Sequence, residues 1–412
     1  MTHFYRNILF KIMTPARQGR LTFEMPDGSQ FHFGRQDARL DARIAVRSEA
    51  MFRKVVLSGD IGFGESYMDG DWGSEDVDRV ISWFIMNKEH WPAISGTLRR
   101  FSPVNGLSFA NRLLHKLRPN NLSGSRKNIR AHYDLSNDFF QTFLDRSMTY
   151  SCAYFESAEQ DLEAAQAAKY DRLCRKLRLA PADRVLEIGS GWGGFAVHAA
   201  KKYGCSVTTL TISEEQYRYA RERVRAEGLE GKVEVLLRDY RKAEGQFDKI
   251  VSIEMLEAVG DRYLETYFSK CGKLLKSDGL MAIQVITSPD SRYRSFKKNV
   301  DWIQKHIFPG SLLPSVARIQ GALQRTGELM LHDLEDLGPF YTKTLNHWQE
   351  AFRKNEARVR ALGMNERFIR KWDYYFSYCK AAFRTRNISV IQAVYTRPNN
   401  WMLSAMPAAV SD

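Results

Sequence analysis

Val185-Leu-Glu-Ile-Gly-Ser-Gly-Trp-Gly-Gly194 runs from a short apolar strand into a glycine-rich turn and on into a helix. Gly189 and Gly191 permit a tight turn and a close approach of backbone to a ligand. In open α/β sheets ligands bind beyond the carboxyl ends of the strands, where this turn falls. A dinucleotide fingerprint reads G-x-G-x-x-G; here the run is G-x-G-x-G-G and the acid Glu187 precedes it. An acid there suits a ligand ammonium rather than a pyrophosphate. Working outward, strands are expected at Arg184–Ile188, Cys205–Thr211, Val233–Arg238, Phe247–Ile253 and Gly279–Ile286. Helices are expected between them at Phe195–Tyr203, Glu214–Glu227 and Arg262–Leu275. Short apolar strands alternating with helices predict an α/β domain with its parallel sheet covered on both faces.

The spacing of the glycine turn, with Glu187 before it and Asp239-Tyr240 after the third strand, resembles the S-adenosylmethionine (SAM) methyltransferase motif. A glycine loop alone is a weak signal; the acids on either side strengthen it.

Composition narrows the class. The 412 residues carry 61 Lys and Arg against 48 Asp and Glu, a net charge of +13. That excess favours polyanionic partners, either nucleic acid or an anionic membrane face. No apolar run approaches the ~20 residues of a membrane span. Phe4 to Met13 is apolar but carries Arg6 and Lys11 and lacks a small-residue cleavage site, so it does not read as a signal peptide. The cysteines Cys152, Cys174, Cys205, Cys271 and Cys379 are scattered and odd in number. They fit a reducing cytosol and argue against a disulfide framework or a zinc site.

The N-terminal hundred residues read as a small mixed domain. Leu21, Phe23, Phe31 and Phe33 alternate about a Pro26-Asp27-Gly28 turn, predicting a β-hairpin. Ile44–Leu57 and Val77–Met86 are expected as helices, and Gly59, Gly62, Gly64, Gly70 and Gly73 as turns. Between Glu89 and Asp134 there is no acid. Leu107, Ala110, Leu113, Leu114 and Leu117 fall there at helical spacing among basic residues, the pattern of a helix lying on an anionic bilayer or packing on the next domain. The expected organisation is a lipid-docking domain over 1–120, a linker over 121–128 and a catalytic domain with a helical cap over 129–412.

Six segments, the glycine loop among them, appear in order: Asn128–Phe140 (NIRAHYDLSNDFF), Met148–Phe155 (MTYSCAYF), the glycine loop, Thr211–Gln216 (TISEEQ), Ile307–Gly310 with Leu313–Val316, and Ala382–Arg386 (AFRTR). Together they resemble the cyclopropane-fatty-acyl-phospholipid synthase family over roughly Arg130 to Pro398. The resemblance implies a SAM-dependent methyltransferase fold, a Rossmann-like mixed sheet with helices on both faces. It also implies a cofactor pocket position by position. Tyr150 and Ser151 fall at the methionine end, Glu187, Gly189 and Gly191 in the loop, Thr211 and Gln216 near the ribose, and Asp239 and Tyr240 at the adenine edge.

The implied reaction is methyl transfer to a double bond in the acyl chain of a membrane phospholipid. An isolated alkene attacks a sulfonium methyl only when held in line and shielded from water. The resulting carbocation calls for aromatic faces and one well-placed base. Proton loss from the new methyl closes a cyclopropane; a prior hydride shift leads instead to a methylene-branched chain. In the resembled family the base is a bound bicarbonate, held by a cysteine, a glutamate, a histidine, a backbone group and a tyrosine. The matching positions are Cys152, Glu257, Gln284, Ile286 and Tyr341, with glutamine replacing the histidine. Glu254 stands where the family usually has glycine, which admits it as an alternative base, or as the partner of a nearby arginine. The expectation is therefore a cytoplasmic enzyme docked on the inner membrane face, making a cyclopropane, with a branched product as the alternative. The family's habit of dimerising leaves a homodimer open. No base-flipping motif or RNA-binding module accompanies the basic charge, so nucleic acid is not expected as a partner.

Overall fold

A computed structural model describes residues 2–36, 39–90, 135–327 and 329–403. Residues 91–134, with the amphipathic helix and linker expected there and the start of the Asn128–Phe140 segment, lie outside these.

The main sheet has seven strands in the order β10-β11-β9-β8-β5-β6-β7. These are β5 (Arg184–Ile188), β6 (Ser206–Thr211), β7 (Val233–Leu237), β8 (Phe247–Ile253), β9 (Leu275–Thr287), β10 (Met330–Asp336) and β11 (Ser389–Thr396). Neighbours from β9 through β8, β5 and β6 to β7 pair in parallel. β11 pairs antiparallel with β9 and with β10, which makes the sheet mixed. Chain order reverses at β5, whose neighbours are β6 on one side and β8 on the other, so the turn after β5 opens at the switch point. The strands and intervening helices stand within one or two residues of expectation, apart from β9, which starts four residues earlier. β10 and β11 fall in the C-terminal part of the catalytic domain, for which only a helical cap is expected. β10 (Met-Leu-His-Asp-Leu-Glu-Asp) is an edge strand carrying four polar residues in seven, a composition that hides it among surface helices.

A second sheet, β2-β1-β3-β4, occupies the N-terminal region. The expected hairpin is β1 (Arg20–Glu24) with β2 (Gln30–Gly34). Its Phe23, Phe31 and Phe33 rings meet Phe10 of the helix Thr2–Met13. The helix expected from Ile44 is corrected. Asp41–Val46 is β3, buried at alternate positions, and the helix begins at Ala50. β4 is Trp72–Gly73.

The glycine-dense stretch is also corrected. Gly59, Gly62 and Gly64 lie inside the helix Ala50–Met68, which kinks at Gly59 (φ 59°, ψ −132°). They serve close approach rather than turning. A Cβ on Gly64 would collide with the Trp302 indole and with Tyr374, and one on Gly62 with the Lys54 carbonyl. Gly70 (φ 81°) does turn the chain. Through Gly64 the N-terminal region packs against the rest of the molecule. Tyr67 donates to Asp373 at 2.8 Å and Arg370 donates to the Trp72 carbonyl at 2.7 Å. One apolar core runs from Leu9 and Phe23 through Trp302 to Trp372 and Phe376, so these N-terminal elements share a core with the C-terminal helices. Gly64→Ala should therefore lower stability by about 1–3 kcal/mol through overpacking at Trp302, read as a lower thermal midpoint.

Candidate active site

A cavity of about 570 Å³ opens at the switch point. All nine residues expected at the cofactor line it: Tyr150, Ser151, Glu187, Gly189, Gly191, Thr211, Gln216, Asp239 and Tyr240. The glycine turn takes the left-handed conformations that its composition anticipates, with φ of 98° at Gly189, 48° at Gly191 and 84° at Gly193. Trp192 of the turn donates to Asn137 at 2.7 Å, tying the loop to the Asn128–Phe140 segment.

Glu187 is buried at the end of β5 and accepts from the Thr209 hydroxyl at 2.6 Å. Burial pushes its carboxyl up to about 8. A ligand ammonium beside it would restore its charge, so the residue fits the amino group of SAM. Thr211 donates to Gln216 at 2.9 Å and accepts from the Ser213 amide at 3.1 Å. Ser213 caps the next helix, accepting from Gln216 N. Asp239 accepts from the Arg241 amide and guanidinium, so its carboxylate is engaged by a neighbour two residues on. Tyr240 packs edge-on to Tyr267.

Lys169 is not among the residues expected at the site. Its ammonium is fully buried, donates to Ser151 Oγ at 2.7 Å and lies 4.1 Å from the centre of the Tyr170 ring. Burial pushes it down to about 8. Because Ser151 Oγ accepts from Lys169, the serine's own proton is left to donate elsewhere. Helical periodicity in Leu162–Lys176 places Lys169 on a buried face, and a lysine there was the available clue.

The second half of the site is built around Glu254, which ends β8 with φ 49°. That left-handed backbone is uncommon for a non-glycine residue and costs conformational energy. Three donors hold its side chain. Oε1 accepts from the Cys152 amide and from Gln284 Nε2, each at 2.8 Å; Oε2 accepts from the Tyr341 hydroxyl at 2.6 Å. The pairing of Ile253 with Gln284 across β8 and β9 brings the glutamine alongside, and Gln392 of β11 donates to Gln284 Oε1 at 3.0 Å. The other amide hydrogen of Gln284 goes to the Cys152 carbonyl. Glu257 Oε1 accepts from the Ile286 amide at 2.6 Å, while Oε2 is buried without a partner. Burial, with Glu254 nearby, pushes Glu257 up to about 8. Burial also raises Glu254, opposed by its three donors and by Lys169. Glu257 is thus held in its protonated form, while the three donors around Glu254 favour its ionised form.

Five residues that resemblance assigns to bicarbonate are therefore brought together, but their donors point at the protein's own carboxylates. The amides of Cys152 and Gln284 and the Tyr341 hydroxyl serve Glu254, and the Ile286 amide serves Glu257. These residues do not fit a bicarbonate ion. The Cys152 thiol is buried and held well above its ordinary pKa, so it stays protonated. Glu254, Glu257, Ile286 and Tyr341 line the cavity, while Cys152 and Gln284 stand behind it and position Glu254. Cys379 lies in the cavity wall with its thiol pushed up by burial.

Cofactor loop and carboxylate cluster open into one cavity on a methyltransferase sheet, and the molecule is a SAM-dependent methyltransferase. Residues 120–393 match the family model described as mycolic acid cyclopropane synthetase. The chain belongs to that cyclopropane synthase family. Tuberculostearic acid methyltransferase UfaA1 of Mycobacterium tuberculosis is 39% identical over 378 residues, 87% of this chain and 84% of its own. The cyclopropane-fatty-acyl-phospholipid synthase of Escherichia coli is 38% identical over 369 residues, 86% and 88% of the two chains. Among solved structures, the cyclopropane synthase MmaA2 of Mycobacterium tuberculosis aligns with a TM-score of 0.62 at 31% identity, over 66% of this chain and 98% of its own. Mycolic acid cyclopropane synthase CmaA1, complexed with SAH and CTAB, aligns at 0.61 and 33%, with the same coverage. None of the described helices is long and apolar enough to cross a membrane.

Proposed function

We propose that this enzyme methylates a double bond in the acyl chain of a membrane phospholipid, that Glu254 removes the proton, and that the product is a branched chain. The observation that carries the reading is the Glu254 carboxylate held by Cys152, Gln284 and Tyr341, the donors that resemblance assigns to bicarbonate. Docking on the anionic inner face of the membrane through the acid-free stretch belongs to the same reading. SAM, when bound, supplies an electrophilic methyl on a sulfonium.

The chain's own residues do the rest. Tyr150, Phe308, Tyr341, Tyr375 and Phe383 border the cavity and offer ring faces to a carbocation while excluding water. Both lone pairs of Glu254 Oε1 are occupied by donors, whereas Oε2 has one donor and one lone pair left. That lone pair is the proton acceptor. A 1,2-hydride shift first moves the positive charge onto the methyl-bearing carbon. Held in place by its three donors, the Glu254 carboxylate takes the proton from the methyl after this shift. The C–H electron pair left behind becomes the second bond of a methylene branch, a CH2 group doubly bonded to the chain. The relative named as a tuberculostearic acid methyltransferase supports the branched product; the Escherichia coli relative favours a ring as the second reading.

Mass spectrometry and NMR of lipids from cells expressing the protein separate these outcomes. A gain of one CH2 with vinylidene protons is the expected result. Cyclopropyl protons would refute the branched product and leave methyl transfer standing. No gain of CH2 would overturn the reading as a whole.

A further inference from the structure

Lys88, Arg292 and Asn387 come from three distant parts of the chain and meet on the wall of the same cavity. Lys88 opens the short turn Lys88–His90, Arg292 closes the turn Asp290–Arg292, and Asn387 lies between the helix Glu366–Arg384 and β11. Lys88 Nζ and an Arg292 guanidinium nitrogen both donate to Asn387 Oδ1, the Arg292 bond measuring 2.6 Å. Two cations thus converge on one neutral acceptor. Glu89 lies 3.5 Å from Arg292, but its side chain is 79% exposed and solvent screens it. Burial and the repulsion of Arg292 push Lys88 down to about 8. A neutral amide oxygen cannot offset two positive charges, so the pair is poised for an anion. Around it the wall is apolar, with Phe84, Ile85, Phe296 and Ile388. Further along the same wall stand Glu254 and Tyr341.

An anionic head beside an apolar passage to the reacting groups describes an amphiphile. We infer that Lys88 and Arg292 bind the phosphate of the glycerophospholipid substrate and so fix how far its acyl chain reaches toward Glu254. This rests on the acyl-methylation reading and adds to it the site that recognises the headgroup. Lys contributes a compact charge and Arg a planar fork, a pairing suited to phosphate oxygens. Asn387 holds the two cations in place when the anion is absent.

The test compares an unsaturated phosphatidylethanolamine with the matching unsaturated diacylglycerol, each in neutral detergent micelles, using the full chain. The wild type is expected to show a KM for the phospholipid about tenfold below that for the diacylglycerol, the scale of one charge-assisted hydrogen bond. Lys88→Met and Arg292→Met should each raise the phospholipid KM toward the diacylglycerol value. The kcat and KM on the diacylglycerol, which has no phosphate for these residues to hold, should not change. Lys88→Arg should retain most of the preference. Equal losses on both substrates would reduce the pair to a structural role, and a wild type without preference would overturn the proposal. Inorganic phosphate is the third arm: weak competition is expected, and tight competition would assign the site to free phosphate instead. Turnover of neither lipid by the wild type would overturn the acyl-methylation reading itself, which the other outcomes leave standing.

Discussion

Glu254→Gln should lower turnover about 10²–10⁴-fold, the usual loss when a positioned general base is removed. SAM affinity should be unchanged, because Glu254 is not among the residues that fit the cofactor. Glutamine keeps the length of the side chain but exchanges a carboxylate oxygen for an amide nitrogen. An amide nitrogen has no lone pair to offer a carbon-bound proton. Glu257→Gln should cost far less. With its carboxyl pushed up to about 8, Glu257 is mostly protonated at neutral pH, and an amide oxygen accepts the Ile286 N–H equally well. Steady-state kinetics on the two variants, with calorimetric SAM binding as the check on folding, compares them directly. The pH profile carries the same sign. Glu254 works only when ionised, and burial raises its pKa. Activity should therefore fall on acidification at a pH above that of an ordinary exposed glutamate.

Gly191→Leu should abolish measurable SAM binding. Gly191 lines the cavity, and a Cβ built there meets nothing within 4 Å, so a larger side chain would project into the space the methionine end needs. The left-handed backbone at φ 48° adds a strain of roughly 1–2 kcal/mol for any L side chain. Gly228 supplies the control. It too is left-handed (φ 66°) with open space around it, but it does not line the cavity. Gly228→Leu should show a similar drop in thermal midpoint with full SAM affinity. Calorimetry on both variants separates a blocked site from a strained backbone; unchanged affinity in Gly191→Leu would place the cofactor elsewhere.

The sheet was legible because its strands are short, apolar and punctuated, so Arg184–Ile188 and Phe247–Ile253 could be read to the residue. The helix through Gly59, Gly62 and Gly64 was not. Glycine there answers to Trp302, some 240 residues away, and local propensity carries no trace of that contact. The same holds for the carboxylates. Their spacing showed that Glu254 and Glu257 were close, and left an arginine open as the partner of Glu254. What decided the matter was the register of β8 on β9 and the position of the helix Gly338–Lys354, which bring Gln284 and Tyr341 to one carboxylate. Gln284, standing where the resemblance implies a histidine, finds its role in donating to Glu254. Lys169 escaped notice for a simpler reason: a lone lysine in a helix is normally solvated, and its burial is a tertiary fact.

The most direct test of Glu254 as the base is turnover in carbonate-free buffer, with and without added bicarbonate, for the wild type and for Glu254→Gly. Glycine suits the left-handed backbone and frees the donors of Cys152, Gln284 and Tyr341 to hold a small carboxylate-like anion. The account predicts a wild type indifferent to bicarbonate, and a Glu254→Gly variant that is inactive without it and partly restored by it. A wild type stimulated by bicarbonate, or a Glu254→Gly variant fully active in carbonate-free buffer, would contradict it.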